Sequence, residues 1–318
     1  MDNESGQSIV LGDVEVIRVV EFQGAFAPAR ELVPDAPEGL WRDEAARLVP
    51  DHWDPDDGRA VMALQTWVLR SEGRTVLVDT GVGNGRDRPG SPAFHRWQGD
   101  FLGGLARAGI RPEDVDVVVN THIHADHVGW NTREEGGEWV PAFPNAQYLL
   151  PAADDFHFGP DNAYGGGVRV DDRLIHEDSI APVHRSGQAV LWDGAHRIDR
   201  HLTLEAAPGH TPGSCVLRLE SGGERAVFAG DVLHSPVQVL APSCNSCFCL
   251  DPARAAATRR RILERAADRR ELVVPAHFGG AGAVEVRRAG AGFALGPWAA
   301  LGEQDGRGSG SRSIVSGG

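Results

Sequence analysis

Apolar positions along the chain fall into short runs, and several runs end at a residue that carries chemistry. Val14 to Val20 alternates weakly and predicts a first strand. Val61 to Arg70 and Thr75 to Val78, joined by Ser71-Glu72-Gly73-Arg74, predict a hairpin that runs into Asp79. Val115 to Asn120 predicts a short buried strand, and Ala146 to Leu150 another. Further on, Val216 to Glu220 and Arg225 to Ala229 predict a second hairpin, ending in Gly230-Asp231. Glu271 to Pro275 predicts a last apolar strand that delivers His277. Asp79 and Asp231 thus follow hairpins of the same kind, a hint of two similar halves.

Phe94, Trp97, Phe101, Leu102 and Leu105 share one face at helical spacing before Gly109, which predicts a helix with a core-facing stripe. Asp251-Pro252 opens another helix, with Asp as N-cap and Pro at the first position. Its Arg-rich face is expected to be solvated. Strand, helix, strand and then a loop at the strand's end is α/β organisation.

Two long segments lack periodicity. Residues 21–60 carry Phe22, Phe26, Trp41 and Trp53 among Pro, Gly and acids, and read as a lid or binding arm. The alternative is an arm packed on the surface or across a homodimer. Residues 151–200 carry Phe156, Phe158 and Tyr164 and read as an insertion that shapes a pocket, or as a solvated loop. Together they predict a largely apolar pocket.

 All four rings, Phe22, Phe26, Phe156 and Phe158, are therefore candidate pocket residues. Residues 1–301 are expected to form a single domain, and the Gly/Ser-rich stretch 302–318 a disordered tail.

The strand Val115–Asn120 leads into Thr121-His122-Ile123-His124-Ala125-Asp126-His127-Val128-Gly129-Trp130. Residues two apart in an extended chain point the same way, so His122 and His124 can grip one ion together. Asp126 and His127 suit a second ion at the turn that follows. Imidazole nitrogen and carboxylate oxygen are ligands for zinc and similar divalent metals. Packing explains four such side chains in six positions poorly, because burying them without a partner is costly. His157, His176, His184, His196 and His201 lack ligand spacing and read as surface or structural.

Composition narrows the chemistry. The 318 residues carry a formal net charge of -14, and every one of the 31 basic residues is Arg. So acidic a chain is a poor partner for a nucleic-acid backbone. Without Lys it has no Schiff-base lysine and no Ser-x-x-Lys nucleophile. The N-terminus has no apolar signal region and no run approaches a membrane span, so a cytoplasmic enzyme with reduced thiols is expected. Cys244, Cys247 and Cys249 cluster, either as an extra metal site or as free thiols near the pocket.

The ordered set Asp79; His122, His124, Asp126 and His127; His210 in Gly209-His210-Thr211; Asp231; and His277 resembles the metallo-β-lactamase superfamily over roughly residues 60–290. Gly230-Asp231-Val232-Leu233-His234-Ser235-Pro236-Val237-Gln238, Pro275-Ala276-His277-Phe278 and Gly290–Phe293 resemble the branch with methyl parathion hydrolase and lactonase-like enzymes. The resemblance implies a four-layer αββα fold. It implies one metal on His122, His124 and His210, another on Asp126, His127 and His277, and Asp231 bridging them. Asp79 would support the ligands from behind, and His234 would contact substrate or buttress the site. Two divalent ions, zinc foremost, would hold a bridging hydroxide next to Asp126 and Asp231, with no protein nucleophile needed. The implied activity is hydrolysis of a small, neutral or weakly polar ester-like substrate, a lactone in first place. A β-lactam, a phosphotriester or an aryl ester follows. From other classes, a mono-iron sulfur-oxidising enzyme or a non-catalytic binding protein shares the scaffold, but the complete second ligand set argues against both.

Overall fold

The computed structural model describes residues 7–164 and 170–303. The strands are β1 (Gln7–Leu11), β2 (Val14–Pro28), β3 (Trp53–Asp54), β4 (Arg59–Ser71), β5 (Arg74–Val78), β6 (Val117–Val119), β7 (Thr132–Glu135), β8 (Glu138–Pro141) and β9 (Gln147–Pro151). They continue with β10 (Ala189–Trp192), β11 (Ala195–Arg197), β12 (Leu202–Ala206), β13 (Cys215–Ser221), β14 (Glu224–Gly230), β15 (Leu272–Pro275), β16 (Val284–Ala289), β17 (Gly292–Trp298) and β18 (Gly302–Glu303). One sheet runs β10-β9-β6-β5-β4-β2-β1-β18, with β3 on β4; the other runs β11-β12-β13-β14-β15-β16-β17. β7 and β8 form a separate hairpin.

Alternation along the central strands explains the layering. Val76, Val78, Val117 and Val119 face the second sheet and pack with Leu204, Leu217, Leu219 and Phe228. Their neighbours Leu77 and Val118 point the other way, onto Phe101, Leu105 and Val183 of flanking helices. In the second sheet Val216, Val227 and Val273 turn outward onto Ile262, Leu263 and Ala266 of the long helix Pro252–Arg269. Strands apolar on both faces need cover on both faces. The result is helix, sheet, sheet, helix: the expected αββα order.

Both predicted hairpins are present as β4–β5 and β13–β14. The helix Pro252–Arg269 opens as expected, its N-cap Asp251 accepting from the Arg254 amide at 3.0 Å. Its Arg-rich face is not wholly solvated. Arg259 is fully buried and donates to the carbonyls of Val232, Pro242 and Cys244, which offsets the cost of burying its charge.

Other expectations change. The helix predicted from Phe94 begins at Phe101; Arg96 at φ +54° and Gly99 break the stripe, and Phe94 and Trp97 lie in the preceding loop. Segment 21–60 starts as the continuation of β2 to Pro28, followed by three one-turn helices. Its aromatics Trp41 and Trp53 pack inward with Leu32, Leu48 and Met62. The described residues of segment 151–200 form short helices and the strands β10 and β11. Of the tail, Gly302 and Glu303 pair with Ser8 and Gln7, and residues 304–318 lie outside the described residues. No helix among the described residues is long and apolar enough to cross a membrane.

Candidate metal centre

Strand ends deliver most of the ligand candidates. β5 ends next to Asp79, β6 leads to His122–His127, β14 ends next to Asp231 and β15 next to His277. Both hairpin strands pair in parallel with the strand after them, β5 with β6 and β14 with β15, so all four ends open on one edge of the sandwich. The turn 208–214 adds His210. Gly230, at φ +49°, lets the β14 end pass close to the first loop: a Cβ there would lie 2.8 Å from Thr121 Oγ1.

The seven residues implied by the resemblance converge, and His234 joins them. His122, His124, His210 and Asp231 present ligand atoms within 4.8 Å of one another, as do Asp126, His127 and His277. Asp231, His234 and His277 form a third such group, sharing two members with the others. The Asp231 carboxylate lies 3.6 Å from His122 Nε2, 3.3 Å from His127, 3.2 Å from His210 and 3.1 Å from both His234 and His277. Asp126 Oδ2 lies 3.6 Å from His127 and His277.

Partners behind the rings fix their direction. Asp79 Oδ2 takes His127 Nδ1 at 2.8 Å and its carboxylate also accepts from Thr121 N and Oγ1, both at 2.8 Å. The Ala63 carbonyl takes His277 Nδ1 at 3.0 Å. Each ring therefore turns Nε2 inward, the arrangement that orients metal-binding histidines. The His277 loop is clamped as well. Buried Arg18 donates to Gln65 at 2.5 Å and to the carbonyls of Gly280 and Phe278, while Gln65 donates to Pro275 and Phe278 at 3.2 and 3.1 Å.

Burial holds His122 and His210 well below the ordinary histidine range and His124 at about 4, which keeps these rings neutral, the ligand form. For His127, burial pulls down but the carboxylates of Asp231, Asp126 and Asp79 outweigh it. The residues fit divalent metal. His127 Nε2 and Asp231 Oδ1 are buried and lack hydrogen-bond partners, although they face each other at 3.3 Å. Buried polar atoms left so would be costly, and a shared cation satisfies both.

Above the ligands lies a cavity of about 820 Å³. Its floor includes His124, Asp126, His210, Asp231, His234 and His277. Phe26, Met62, Leu64, Phe94, Val170, Ile175, Phe248 and Leu250 supply its apolar lining. Phe94, expected in the core, is thus a cavity residue, its ring tilted against Phe26 with centroids 6.0 Å apart. Of the four rings expected at the pocket, Phe26 lines it. Phe22 turns away onto Trp97, Phe156 is 57% exposed to solvent, and Phe158 is buried behind His124, edge-on at 5.6 Å. Phe22 and Phe26, four apart, would share a face in a regular strand, but the register of β2 shifts between Ala25 and Ala27. Phe156 and Phe158, two apart on a helix, point about 200° apart. Asp171 and Asp172 also line the cavity.

The cysteines divide. Cys244 is buried under the Asp35 carbonyl, Cys247 is exposed, and Cys249 sits 3.9 Å from His210 Nδ1. No ligand group among the described residues includes a cysteine. Met62, Leu64, Phe248 and Leu250 were not expected at the site; Phe248 lies inside the cysteine cluster, which was its one local signal.

Comparison with known proteins agrees with this geometry. The family model for the metallo-β-lactamase superfamily matches residues 62–277. The N-acyl homoserine lactonase AttM of Azorhizobium caulinodans is 32% identical over 127 residues, covering 36% of this chain and 40% of that protein. The chain thus aligns with less than half the length of that curated relative. Among solved structures, the hydrolase AbOPH of the β-lactamase superfamily shares 22% identity at a TM-score of 0.77, over 93% of this chain and 98% of that one. AidC, a dizinc quorum-quenching lactonase, shares 21% identity at a TM-score of 0.76, over 95% and 100%.

Proposed function

The chain belongs to the metallo-β-lactamase superfamily and is a hydrolase of it, and on that premise we propose that it opens small neutral lactones with the help of two divalent ions, zinc foremost. His122, His124 and His210 would hold one ion, Asp126, His127 and His277 the other, and Asp231 both. When bound, such ions supply Lewis acidity and an ionised water near neutral pH. The chain's own groups do the rest. Asp126 lines the cavity; with Oδ2 turned to His127 and His277 as its ligand atom, its other oxygen is the one left to carry a proton to the departing alkoxide. The apolar walls exclude water and take the substrate's hydrocarbon part.

The observation that carries the lactone reading is the apolar lining of the cavity beside the ligands. Phe26, Met62, Leu64, Phe94, Phe248 and Leu250 offer surface to a hydrocarbon chain, which suits a neutral ester-like substrate with an apolar part. Similarity to a named N-acyl homoserine lactonase supports the same choice. The test is a panel of lactones, aryl esters, phosphotriesters and β-lactams offered to metal-loaded protein. Lactones are expected to give the highest kcat/KM; a β-lactam or phosphotriester in first place overturns the reading.

A further inference from the structure

We propose that Asp154 is a positioning residue that fixes the three-histidine half of the centre by tying its two loops together. The inference rests on the assignment of His122, His124 and His210 to one ion. These rings come from separate loops, the one after β6 and the turn 208–214. Three ring nitrogens must nevertheless meet: His122 Nε2 and His210 Nε2 each lie 3.0 Å from His124 Nδ1.

Asp154, fully buried in the first turn of the helix Ala152–Phe158, lies between the loops. Its Oδ2 accepts from Ile123 N at 3.0 Å, the amide between His122 and His124, and from Thr211 Oγ1 at 2.8 Å, next to His210. Its Oδ1 accepts from Gly213 N at 2.5 Å. Residue 213 must be small for this approach, since a Cβ there would come within 2.5 Å of Asp154 N. A buried carboxylate is costly to keep, and these three partners are neutral donors. An amide in its place would turn an N–H towards donors, so the site calls for two acceptor oxygens. The same helix sets Phe158 edge-on against the His124 ring. The other half has separate braces, Asp79 behind His127 and Ala63 O behind His277. Loss of Asp154 should therefore weaken one ion and spare the other.

The test uses the full chain, stripped of metal, as wild type, Asp154→Asn and Thr211→Val. Cobalt(II) is added stepwise while the ligand-field spectrum is followed, and zinc content is measured after reloading. Wild type is expected to take two ions. Asp154→Asn is expected to keep one and bind the other ~10–100-fold more weakly, the usual effect of losing an outer partner. Thr211→Val, which deletes one of the three bonds and keeps the carboxylate, should show a smaller loss at the same ion. Amide hydrogen exchange at Ile123 and Gly213 should rise in Asp154→Asn. Wild-type affinity for both ions in Asp154→Asn, or equal weakening of both ions in folded Thr211→Val, overturns the proposal. A wild type that takes fewer than two ions overturns the two-metal reading, and this inference with it.

Discussion

The two halves of the molecule are built alike and end differently. In the first, the hairpin β4–β5 is followed by a loop, the helix Phe101–Arg107 and the parallel strand β6. In the second, the hairpin β13–β14 is followed by a loop, the helix Pro252–Arg269 and the parallel strand β15. Asp79 and Asp231 stand at matching places after the hairpins, and His122–His127 and His277 after the parallel strands. The loops match too: Phe94 lies in the first, Phe248 and Leu250 in the second, and all three line the cavity. Yet Asp79 spends its oxygens on Thr121 and His127, whereas Asp231 faces five imidazoles. One backbone plan thus yields a brace in one half and a shared ligand in the other, because the first half carries four candidate ligands on its loop and the second one.

The largest expected effect follows from that difference. Asp231→Ala should abolish binding of both ions and lower kcat/KM by on the order of a thousandfold or more, since metal assistance is worth several kcal/mol. Asp79→Ala should cost ~10–100-fold and leave most of the metal in place. Metal content and kcat/KM measured on both variants check the ranking. Equal severity would mean that the two aspartates share one role.

Much of this plan could be read from the chain because it is local. Alternating or continuous apolar runs ending in Asp or His mark strand ends, and the spacing of His122, His124, Asp126 and His127 needs no tertiary knowledge. What escaped depends on distant segments meeting. Asp154 is one acid among several in its stretch; its partners Ile123, Thr211 and Gly213 are 31 to 59 positions away. Phe94 fitted a helical stripe, and nothing local showed that the helix starts at Phe101. Of neighbouring Phe22 and Phe26, and of Phe156 and Phe158, sequence offered no means to tell which ring faces the cavity.

The matching loops give a more moderate prediction. Phe94→Ala and Phe248→Ala should each change the ratio of kcat/KM between long-chain and short-chain lactones by roughly 10–200-fold, the range for apolar pocket contacts. Metal content should stay as in wild type. Phe156→Ala and Phe22→Ala should leave the ranking unaltered, because neither ring reaches the cavity. If Phe22 and Phe156 move the ratio and Phe94 and Phe248 do not, the cavity above the ligands is not where substrate lies.

The effect expected to be smallest at neutral pH sits at the seam between the halves. His52, from the first, is buried and stacked at 4.6 Å on Trp298 of the second, with Phe278 edge-on at 5.7 Å. Burial, helped by the nearby Arg18 charge, lowers its pKa to about 3, and Nδ1 has no hydrogen-bond partner. An unfolded histidine titrates near 6.5, so below that pH the unfolded chain gains a proton that the folded chain refuses. A depressed folded pKa contributes stability that is full above 6.5 and is lost as pH falls towards 3. The limiting slope is about 1.4 kcal/mol per pH unit. His52→Phe keeps an aromatic ring at the seam and removes the proton. Denaturant unfolding of metal-free wild type and variant from pH 8 to pH 4 should show near-equal stability at pH 8 and a shallower acid decline in the variant. Parallel curves over that range would mean that His52 gains its proton inside the folded seam, and that the two halves meet less tightly there than their packing indicates.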